Sequence, residues 1–348
     1  MEYRYQTSEC MPRLYPIVVF CGTLHLGNDK EPRMINRGNY LRGEWGNATA
    51  PTIIDKHTYP FPVSLSMKWG SMTEGKAYEL ESSLHKEKIE KLWQQKDKDG
   101  NALYDYIVVG CAPYGGVAVW LNGFYKAVLV DWLKGTEVAE EDVEDYLMGL
   151  SLKDYCQLSV NQDEEVKNNL EKNGLPPSDL YDNWMRQYNY RYVGLEEYFD
   201  GEKWQLYDEE DLYFDDMDFD SIQDQRFDGT HDLLHDGGLM NYHEAGCPKR
   251  IAIVWYEGRD EFSAYYWFDE EKTPLFFSQF FMMSGSRKAD ARFRIDTRAN
   301  QYEIVLTSDM VTEPQVLPLD VYQLLVFQND NEYYRSENFA QEDGAWEW

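Results

Sequence analysis

The sequence predicts an α+β fold made of two tandem ββαββ units, with mostly antiparallel sheets, one helix in each unit and a short helical connector between them. The first observation behind this is a repeated string, because FPVSLSMKW at residues 61–69 resembles CPKRIAIVW at residues 247–255. The second observation is that the same order of strand, turn and helix patterns follows both strings. The predicted organisation is a first unit at 1–135, a connector at 136–187, and a second unit at 188–348 with an acidic insertion and a C-terminal extension.

The repeated string is the first predicted strand of each unit. Setting Pro62 on Pro248 places Trp69 on Trp255 and keeps apolar residues at alternate positions in both copies. A period of two is typical of a strand with one buried face. The second strands follow after short turns that contain glycine and charged residues, and they are KAYEL at 76–80 and SAYYW at 263–267.

One helix and two closing strands complete each unit. The apolar residues of the helical segments recur at a spacing near 3.6 residues, and Pro274 falls in a first turn, where proline is tolerated. The predicted helices are SLHKEKIEKLWQQ at 83–95 and EEKTPLFFSQFF at 270–281. The closing strands are YDYIVVG at 104–110 and GGVAVWL at 115–121, joined by a hairpin turn, and ARFRID at 291–296 and QYEIVL at 301–306.

Further strand and helix patterns lie outside the repeated core. We align YPIVVFCGTLHL at 15–26 with YNYRYVGLEEYF at 188–199 as equivalent upstream strands. Between the units, EVAEEDVEDYLMGL at 137–150 and DEEVKNNLEKNG at 163–174 predict short helices, the second of which ends at Gly174. These short helices form the predicted connector.

The charge of the chain limits the classes of partner. Lys and Arg number 33 and Asp and Glu number 63, which gives a net charge of −30. Such a charge repels phosphate backbones and anionic membranes and attracts basic protein surfaces. We therefore expect no nucleic-acid ligand and a basic protein as the partner.

The five cysteines and the first residues of the chain bear on its compartment. The cysteine count is odd and no CxxC pair occurs, which favours reduced, mostly buried thiols. The start lacks a basic segment followed by a long apolar one, and no apolar run reaches membrane-spanning length. We expect a cytoplasmic protein without a transmembrane segment; a protein from which a signal peptide had been cleaved would be periplasmic or lipid-anchored.

An acidic tract at 208–220, DEEDLYFDDMDFD, is the predicted partner-binding site. Carboxylates that alternate with aromatic residues are typical of a surface that steers a basic protein and then anchors it. Packing of these aromatic residues against the second unit, or a hydrated acidic loop, would also explain the tract. The predicted partner-binding residues are Asp208, Glu209, Glu210, Asp211, Tyr213, Phe214, Asp215, Asp216, Asp218 and Asp220.

Two other kinds of function remain open. His231, His235 and His243 lie close in sequence to Asp232, Asp236 and Glu244, which would suit a metal-dependent hydrolase if the segment were helical. Glycines at 229, 237 and 238 disfavour a helix there, so we expect exposed histidines, no metal and no cofactor. The 27 tyrosines and 11 tryptophans would suit a carbohydrate- or ligand-binding module, since sugars stack on aromatic rings.

Several long segments together resemble one bacterial family. They are YDYIVVGCAPYGGVAVWLNG, FDGTHDLLHDGGLMNYHEAGCPKRIAIVW, SAYYWFD and YRSENFAQEDGAWEW. In these segments the chain resembles the bacterial family called domain of unknown function 2931. The resemblance implies no catalytic residues. Many members begin with a lipoprotein signal and some lie near genes for secreted antibacterial effectors, which implies immunity proteins.

Charge, the acidic tract and the resemblance together predict a non-catalytic, acidic protein-binding protein. The specific hypothesis is an immunity protein that neutralises a secreted bacterial effector, a basic toxin. The metal-dependent hydrolase and the ligand-binding module are the alternatives.

Overall fold

The computed structural model describes residues 2–27, 31–35, 44–48, 57–97, 99–194, 197–206, 217–235 and 241–339, with the backbone alone for 217–219, 235 and 312. The structure consists mostly of strands in open sheets, with few helices, which confirms the predicted α+β class. The chain divides into two compact units, Met1–Asp182 with Asp228–Thr230, and Asn183–Phe227 with His231–Trp348. Within the described ranges, no helix is long and apolar enough to span a membrane.

The chain up to the division between the units contains the first set of strands and helices. They are β1 (Gln6–Cys10), β2 (Ile17–His25), β3 (Arg33–Ile35), β4 (Ser64–Ser71), β5 (Lys76–Ser83), α1 (Lys86–Trp93), β6 (Tyr106–Ala112), β7 (Gly116–Asn122), β8 (Lys126–Lys134), β9 (Thr136–Val138), two short 3₁₀ helices (Glu140–Asp142 and Glu144–Tyr146), α2 (Leu152–Asn161), α3 (Glu164–Asn173) and α4 (Leu180–Trp184).

Two sheets form the first unit. One has the strand order β3-β2-β4-β5-β9, and the other contains β1-β6-β7-β8. All neighbours are antiparallel except β1 and β6, which are parallel. The main core joins apolar residues of both sheets, including Trp69 of β4 and Val119 of β7, with Ile89 and Trp93 of α1. The 3.6-residue spacing seen in the sequence therefore places one face of α1 in this core.

A second core lies under the segment that was predicted to be a connector. Val18 and Phe20 of β2 pack there with Leu152 and Cys156 of α2 and with Val166 of α3. Residues 136–182 accordingly belong to the first compact unit rather than standing apart from it. α3 ends at Gly174, which has φ of +74° and donates its N–H to the Leu170 carbonyl, as the sequence predicts.

The hairpin between β6 and β7 shows how the glycine-rich string GCAPYGG is used. Tyr114 and Gly115 have φ angles of +60° and +74°, which are the angles of a tight turn between antiparallel strands. The Tyr114 N–H donates to Glu74 Oε2 at 2.8 Å. The string is thus a hairpin turn, as predicted, and not a phosphate-binding loop.

The rest of the chain contains the second set of strands and one long helix. They are β10 (Tyr188–Gly194), β11 (Glu197–Phe199), β12 (Trp204–Leu206), β13 (Met217–Arg226), β14 (His231–His235), β15 (His243–Ala245), β16 (Pro248–Glu257), β17 (Asp260–Phe268), α5 (Lys272–Ser284), β18 (Ala289–Asp296), β19 (Gln301–Ser308), β20 (Val311–Val316), β21 (Tyr322–Gln328) and β22 (Asn331–Arg335).

The second unit contains two larger sheets and a two-stranded sheet of β11 and β12. One of the larger sheets contains β14-β13-β16-β17-β21-β22, and the other has the order β15-β10-β18-β19-β20. Here too a single pair is parallel, β10 with β18. The predicted equivalence of the upstream strands is wrong, because β2 pairs antiparallel with β4 whereas β10 pairs parallel with β18. The strand next to β16 is β13, which the alignment of upstream strands had missed.

Candidate functional site

The predicted partner-binding tract is only partly within the described residues. Asp208, Glu209, Glu210, Asp211, Tyr213, Phe214, Asp215 and Asp216 lie outside them. Asp218 and Asp220 lie on β13, and the exposed Asp220 carboxylate accepts a hydrogen bond from Ser221 Oγ at 2.9 Å. A strand begins within the tract, and its role in binding stays a prediction.

The three histidines of the alternative metal site lie on two strands. His231 and His235 begin and end β14, which pairs antiparallel with β13. A strand rises about 3.3 Å per residue, so their Cα atoms are about 13 Å apart, whereas a helix would have placed them one turn apart. His243 lies on β15, and Asp236 is outside the described residues. In the described part of the chain, no group of three or more His, Cys, Asp or Glu side chains could hold a metal ion.

A second acidic stretch, residues 140–150, is fully described and lies between β9 and α2 of the first unit. We call it the acidic segment. It has the sequence EEDVEDYLMGL and contains five carboxylates and no basic residue. It forms two 3₁₀ helices followed by a turn at Met148 and Gly149. Val143 and Leu147 cap the second 3₁₀ helix at its two ends and reach the core, while the three residues between them are exposed.

Several contacts hold the acidic segment in one conformation. Val143 and Leu147 are both buried. Glu140 accepts the Leu152 N–H at 2.9 Å, which ties the start of the segment to the start of α2. Lys68 of β4 donates to the Asp142 carbonyl at 3.4 Å, and the Tyr146 ring stacks on Phe20 with centroids 5.4 Å apart. The exposed side chains therefore project from a fixed backbone.

The outer surface of the acidic segment combines exposed apolar groups with carboxylates. Met148 is 82% exposed, and Tyr146 and Leu150 are also exposed. Met148 has φ of +55°, a left-handed conformation that is unfavourable for any residue with a side chain. Glu144 and Asp145 are exposed and make no ion pair with any residue that the structure describes. Met148 and Gly149 are the central residues of a turn in which the Leu150 N–H donates to the Leu147 carbonyl at 3.0 Å, and the methionine side chain projects from this turn into solvent.

Sequence reasoning missed the acidic segment, although its signal was present. EVAEEDVEDYLMGL has the same mixture of carboxylates with tyrosine, leucine and methionine that singled out 208–220. The same string predicts a short helix of the connector. What the sequence could not show is that Val143 and Leu147 are buried and the other apolar side chains exposed.

Comparison with known proteins gives one match. The family model described as "Protein of unknown function (DUF2931)" matches residues 1–177. This chain belongs to that family. No curated protein and no solved structure matches it. The region that matches the DUF2931 model contains the whole acidic segment, and the resemblance seen in the sequence is confirmed.

The second unit of this DUF2931 protein holds a buried polar cluster that the sequence did not suggest. Asp224 of β13 is fully buried and forms an ion pair with Arg226 at 2.6 Å. The Arg226 guanidinium lies 3.3 Å from His243 Nε2. The Tyr190 hydroxyl donates to the Gly246 carbonyl at 2.9 Å and lies 3.3 Å from the Tyr192 hydroxyl. Burial raises the pKa of Asp224 to about 6, and Arg226 opposes that rise.

Proposed function

We propose that this protein binds a basic protein partner through the acidic segment of its first unit, residues 140–150. The observation that carries the proposal is Met148, which a hydrogen-bonded turn holds exposed and left-handed shortly after five carboxylates. Strain of this kind persists only where the surrounding structure imposes it, and it concentrates at sites of function. Binding through this surface requires no catalytic group.

The composition of the surface fits recognition of a basic protein. Exposed carboxylates raise the rate of encounter with a basic partner, and this effect weakens as salt increases. Large apolar side chains at the centre of the contact supply most of the affinity once water is excluded. Methionine suits this role because its flexible thioether adapts to an uneven partner surface. Tyr146, Met148 and Leu150 would form the centre, and Glu141, Glu144 and Asp145 the rim.

We propose further that the partner is a secreted bacterial effector and that the chain is its immunity protein. A net charge of −30 supports a basic partner, and neutralisation by occlusion needs only a tight contact. Co-expression tests this extension, since the chain should relieve the growth defect caused by its effector. A variant with Met148→Asp should relieve that defect less well, because the substitution removes the apolar centre of the contact.

We also propose that the two units arose by duplication of one ββαββ module. The order β4-β5-α1-β6-β7 matches β16-β17-α5-β18-β19. The sheet orders β3-β2-β4-β5-β9 and β1-β6-β7-β8 match β14-β13-β16-β17-β21 and β10-β18-β19-β20. Among the described strands, each unit has a parallel pair at the first position of the second order, β1 with β6 and β10 with β18.

Individual contacts support the duplication as well. The pairing of β2 with β4 shifts register just after the residue opposite Trp69, which is Val19. The pairing of β13 with β16 also shifts register just after the residue opposite Trp255. Tyr5 donates to the Pro60 carbonyl at 2.8 Å, and Tyr190 makes the same bond to Gly246 at 2.9 Å. Position 60 corresponds to 246 in the alignment that places Trp69 on Trp255.

Site-specific photo-crosslinking in the native host tests the proposed binding surface. A photoreactive residue replaces Met148, and the crosslinked protein is identified by mass spectrometry and then purified for direct binding measurements. We expect one basic protein whose affinity for this chain falls as salt increases. The matched control is the same residue at Met310, which is 66% exposed in the second unit. Identical products from both positions, or none from Met148, would contradict the proposal.

A further inference from the structure

A polar cleft of about 430 Å³ lies on the first unit, on one face of the sheet that contains β2, β4 and β5. Its lining includes Thr23 of β2, Ser66 and Lys68 of β4, Glu79 and Glu81 of β5, and Lys134 at the end of β8. The volume falls within the range of small-molecule sites. The cleft makes no use of the exposed apolar side chains of the acidic segment, so it goes beyond the function proposed above.

Strand alternation explains why this face is polar. Leu65, Met67 and Trp69 of β4 are buried in the main core, so Ser64, Ser66 and Lys68 point to the opposite face. The register places Thr23 and Glu81 directly opposite Ser66 on the two neighbouring strands. Cross-strand neighbours on one face lie about 5 Å apart, so the side chains of this row lie next to one another in the cleft.

A histidine contacts one of the serines in the cleft. His25 Nε2 lies 2.7 Å from Ser66 Oγ, a short and well-formed hydrogen bond. Ser66 is partly buried and lines the cleft, and the exposed His25 contacts it from just outside the lining residues. Ser64 lies on the same face and directly opposite His25 in the register, but the imidazole bonds Ser66 instead.

We propose that Ser66 is a nucleophile with His25 as its general base, and that the pair transfers the acyl group of a small polar ester to water. A serine hydroxyl that is hydrogen-bonded to an imidazole nitrogen has the geometry required for such activation. The charges that line the cleft balance, with Lys68 and Lys134 against Glu79 and Glu81, and Lys68 contacts Glu79 at 3.3 Å. A neutral or zwitterionic ester suits this balance better than a strongly charged one.

The atoms and protons of the reaction balance with these two side chains, the ester and water. Ser66 Oγ forms a bond to the ester carbonyl carbon while its proton passes to His25 Nε2, and the ester C–O bond then breaks as that proton passes to the leaving alcohol. Water next attacks the acyl carbon and gives a proton to His25, which returns it to Ser66 Oγ as the acid leaves.

Labelling with a fluorophosphonate probe tests this proposal on the full chain. The probe phosphonylates an activated serine and releases fluoride, and the modified peptide is then identified by mass spectrometry. We expect a single adduct on Ser66 and none in Ser66→Ala. His25→Gln should slow labelling about 100-fold or more, since a general base contributes at least that much. Because His25 is exposed, this variant should fold normally.

Ser64→Ala is the matched control, since Ser64 shares the strand and the face but not the bond to His25. This variant should be labelled at the rate of the unsubstituted protein. Thermal unfolding of every variant excludes a folding defect as the cause of slow labelling. Absence of label on Ser66, or an unchanged rate in His25→Gln, would overturn the proposal.

Discussion

The backbone at Met148 stores strain that the sequence of the acidic segment could easily have avoided. Its φ is +55° and that of the next residue, Gly149, is +80°. A left-handed conformation costs a residue with a Cβ roughly 1–2 kcal/mol, whereas glycine adopts it freely. The turn is closed by the bond from the Leu150 N–H to the Leu147 carbonyl, which glycine at position 148 would allow equally well. We interpret the methionine as a residue that is kept for its contact with the partner.

Replacement of Met148 by Gly should therefore separate stability from binding. We expect the free energy of unfolding to stay equal or to rise by about 0.5–1 kcal/mol, because relief of strain slightly exceeds the entropy cost of glycine. Affinity for the partner should fall at least about 10-fold, which is about 1.4 kcal/mol. Chemical denaturation and a binding titration measure the two effects, and a loss of stability with unchanged affinity would contradict this interpretation.

Asp224 gives the second unit a specific pH dependence. Its pKa is about 6 in the folded protein and near 3.8 in the unfolded chain, because burial disfavours the carboxylate more than Arg226 favours it. Between these values the folded protein binds more protons than the unfolded chain, so this group adds stability as pH falls from about 6 to about 4. Above pH 6, burial of its charge costs roughly 3 kcal/mol.

Asp224→Asn should remove this contribution. We expect the unsubstituted protein to gain about 2 kcal/mol of stability relative to the variant as pH falls from 7 to about 4.5. Urea unfolding at several pH values measures the difference. Asp220→Asn is the control, because Asp220 lies on the same strand but is exposed. The difference in stability between the unsubstituted protein and this control should not grow as pH falls. A constant difference between Asp224→Asn and the unsubstituted protein across this range would contradict the assignment.

At the scale of elements, alternation and turn signals predicted most of the strands but not their neighbours. The string at 61–69 and its repeat at 247–255 do become β4 and β16, with Trp69 and Trp255 buried in both. The upstream alignment failed because strand patterns look alike, and only pairing shows that β13 is the neighbour of β16. The buried charges of β13 contributed to this failure, since Asp224 and Arg226 break the apolar pattern that β2 shows.

The pairing of β2 and β13 suggests a direct exchange of side chains. Leu24 lies opposite Leu65 and Asp224 lies opposite Ile251, so Leu24 occupies the place that Asp224 takes in the second unit, and the register of β13 then shifts between Gln225 and Arg226. Leu24 and Leu26 are both buried. Replacing a buried ion pair with apolar residues of similar volume is often neutral or stabilising by about 1–4 kcal/mol.

The double variant Asp224→Leu with Arg226→Leu should therefore fold with equal or higher stability. Asp224→Leu alone should lose about 3–5 kcal/mol, because it leaves the Arg226 guanidinium buried without its carboxylate. Denaturation of the two variants under identical conditions measures the difference. A double variant that is as unstable as the single one would show that β13 and β2 are not equivalent.

At the scale of the whole molecule, a short segment from far along the chain completes the first unit. Asp228–Thr230 belongs to that unit, and the Asp228 carbonyl accepts the Trp120 indole N–H at 2.9 Å. Gly46 and Gly229 have φ angles of +84° and +80°, and a Cβ on Gly46 would overlap the Gly229 carbonyl. No local pattern could have predicted this contact, because its two sides are separated by most of the chain and neither glycine lies in a periodic segment.

Gly46→Ala should accordingly be much more destabilising than an ordinary glycine substitution. Gly285→Ala is the control, since its φ is +63° in the left-handed region with open space around it, and it should cost about 1–2 kcal/mol. Gly46→Ala should cost about 1–3 kcal/mol more, because the neighbouring backbone must move. Thermal unfolding measures both losses, and equal losses would show that the close approach contributes nothing.

The strongly negative charge of the molecule predicts a basic partner, but it does not locate the contact. Charge alone would let any acidic surface serve, whereas the acidic segment combines exposed apolar side chains with five carboxylates and no basic residue. The sequence placed the contact at 208–220 because alternation of acidic and aromatic residues was the only available signal. Burial, which distinguishes anchors such as Val143 from exposed contact residues, required the fold.

The most direct measurement is the affinity of the purified partner for two variants of equal charge, at low and moderate salt. The first carries Glu141→Gln, Glu144→Gln and Asp145→Asn in the acidic segment, and the second carries Glu87→Gln, Glu164→Gln and Glu171→Gln on α1 and α3. We expect the first to bind at least about 10-fold more weakly, with a smaller salt dependence, and the second to bind nearly normally. Equal weakening in both would contradict a localised site and leave only the charge of the whole molecule.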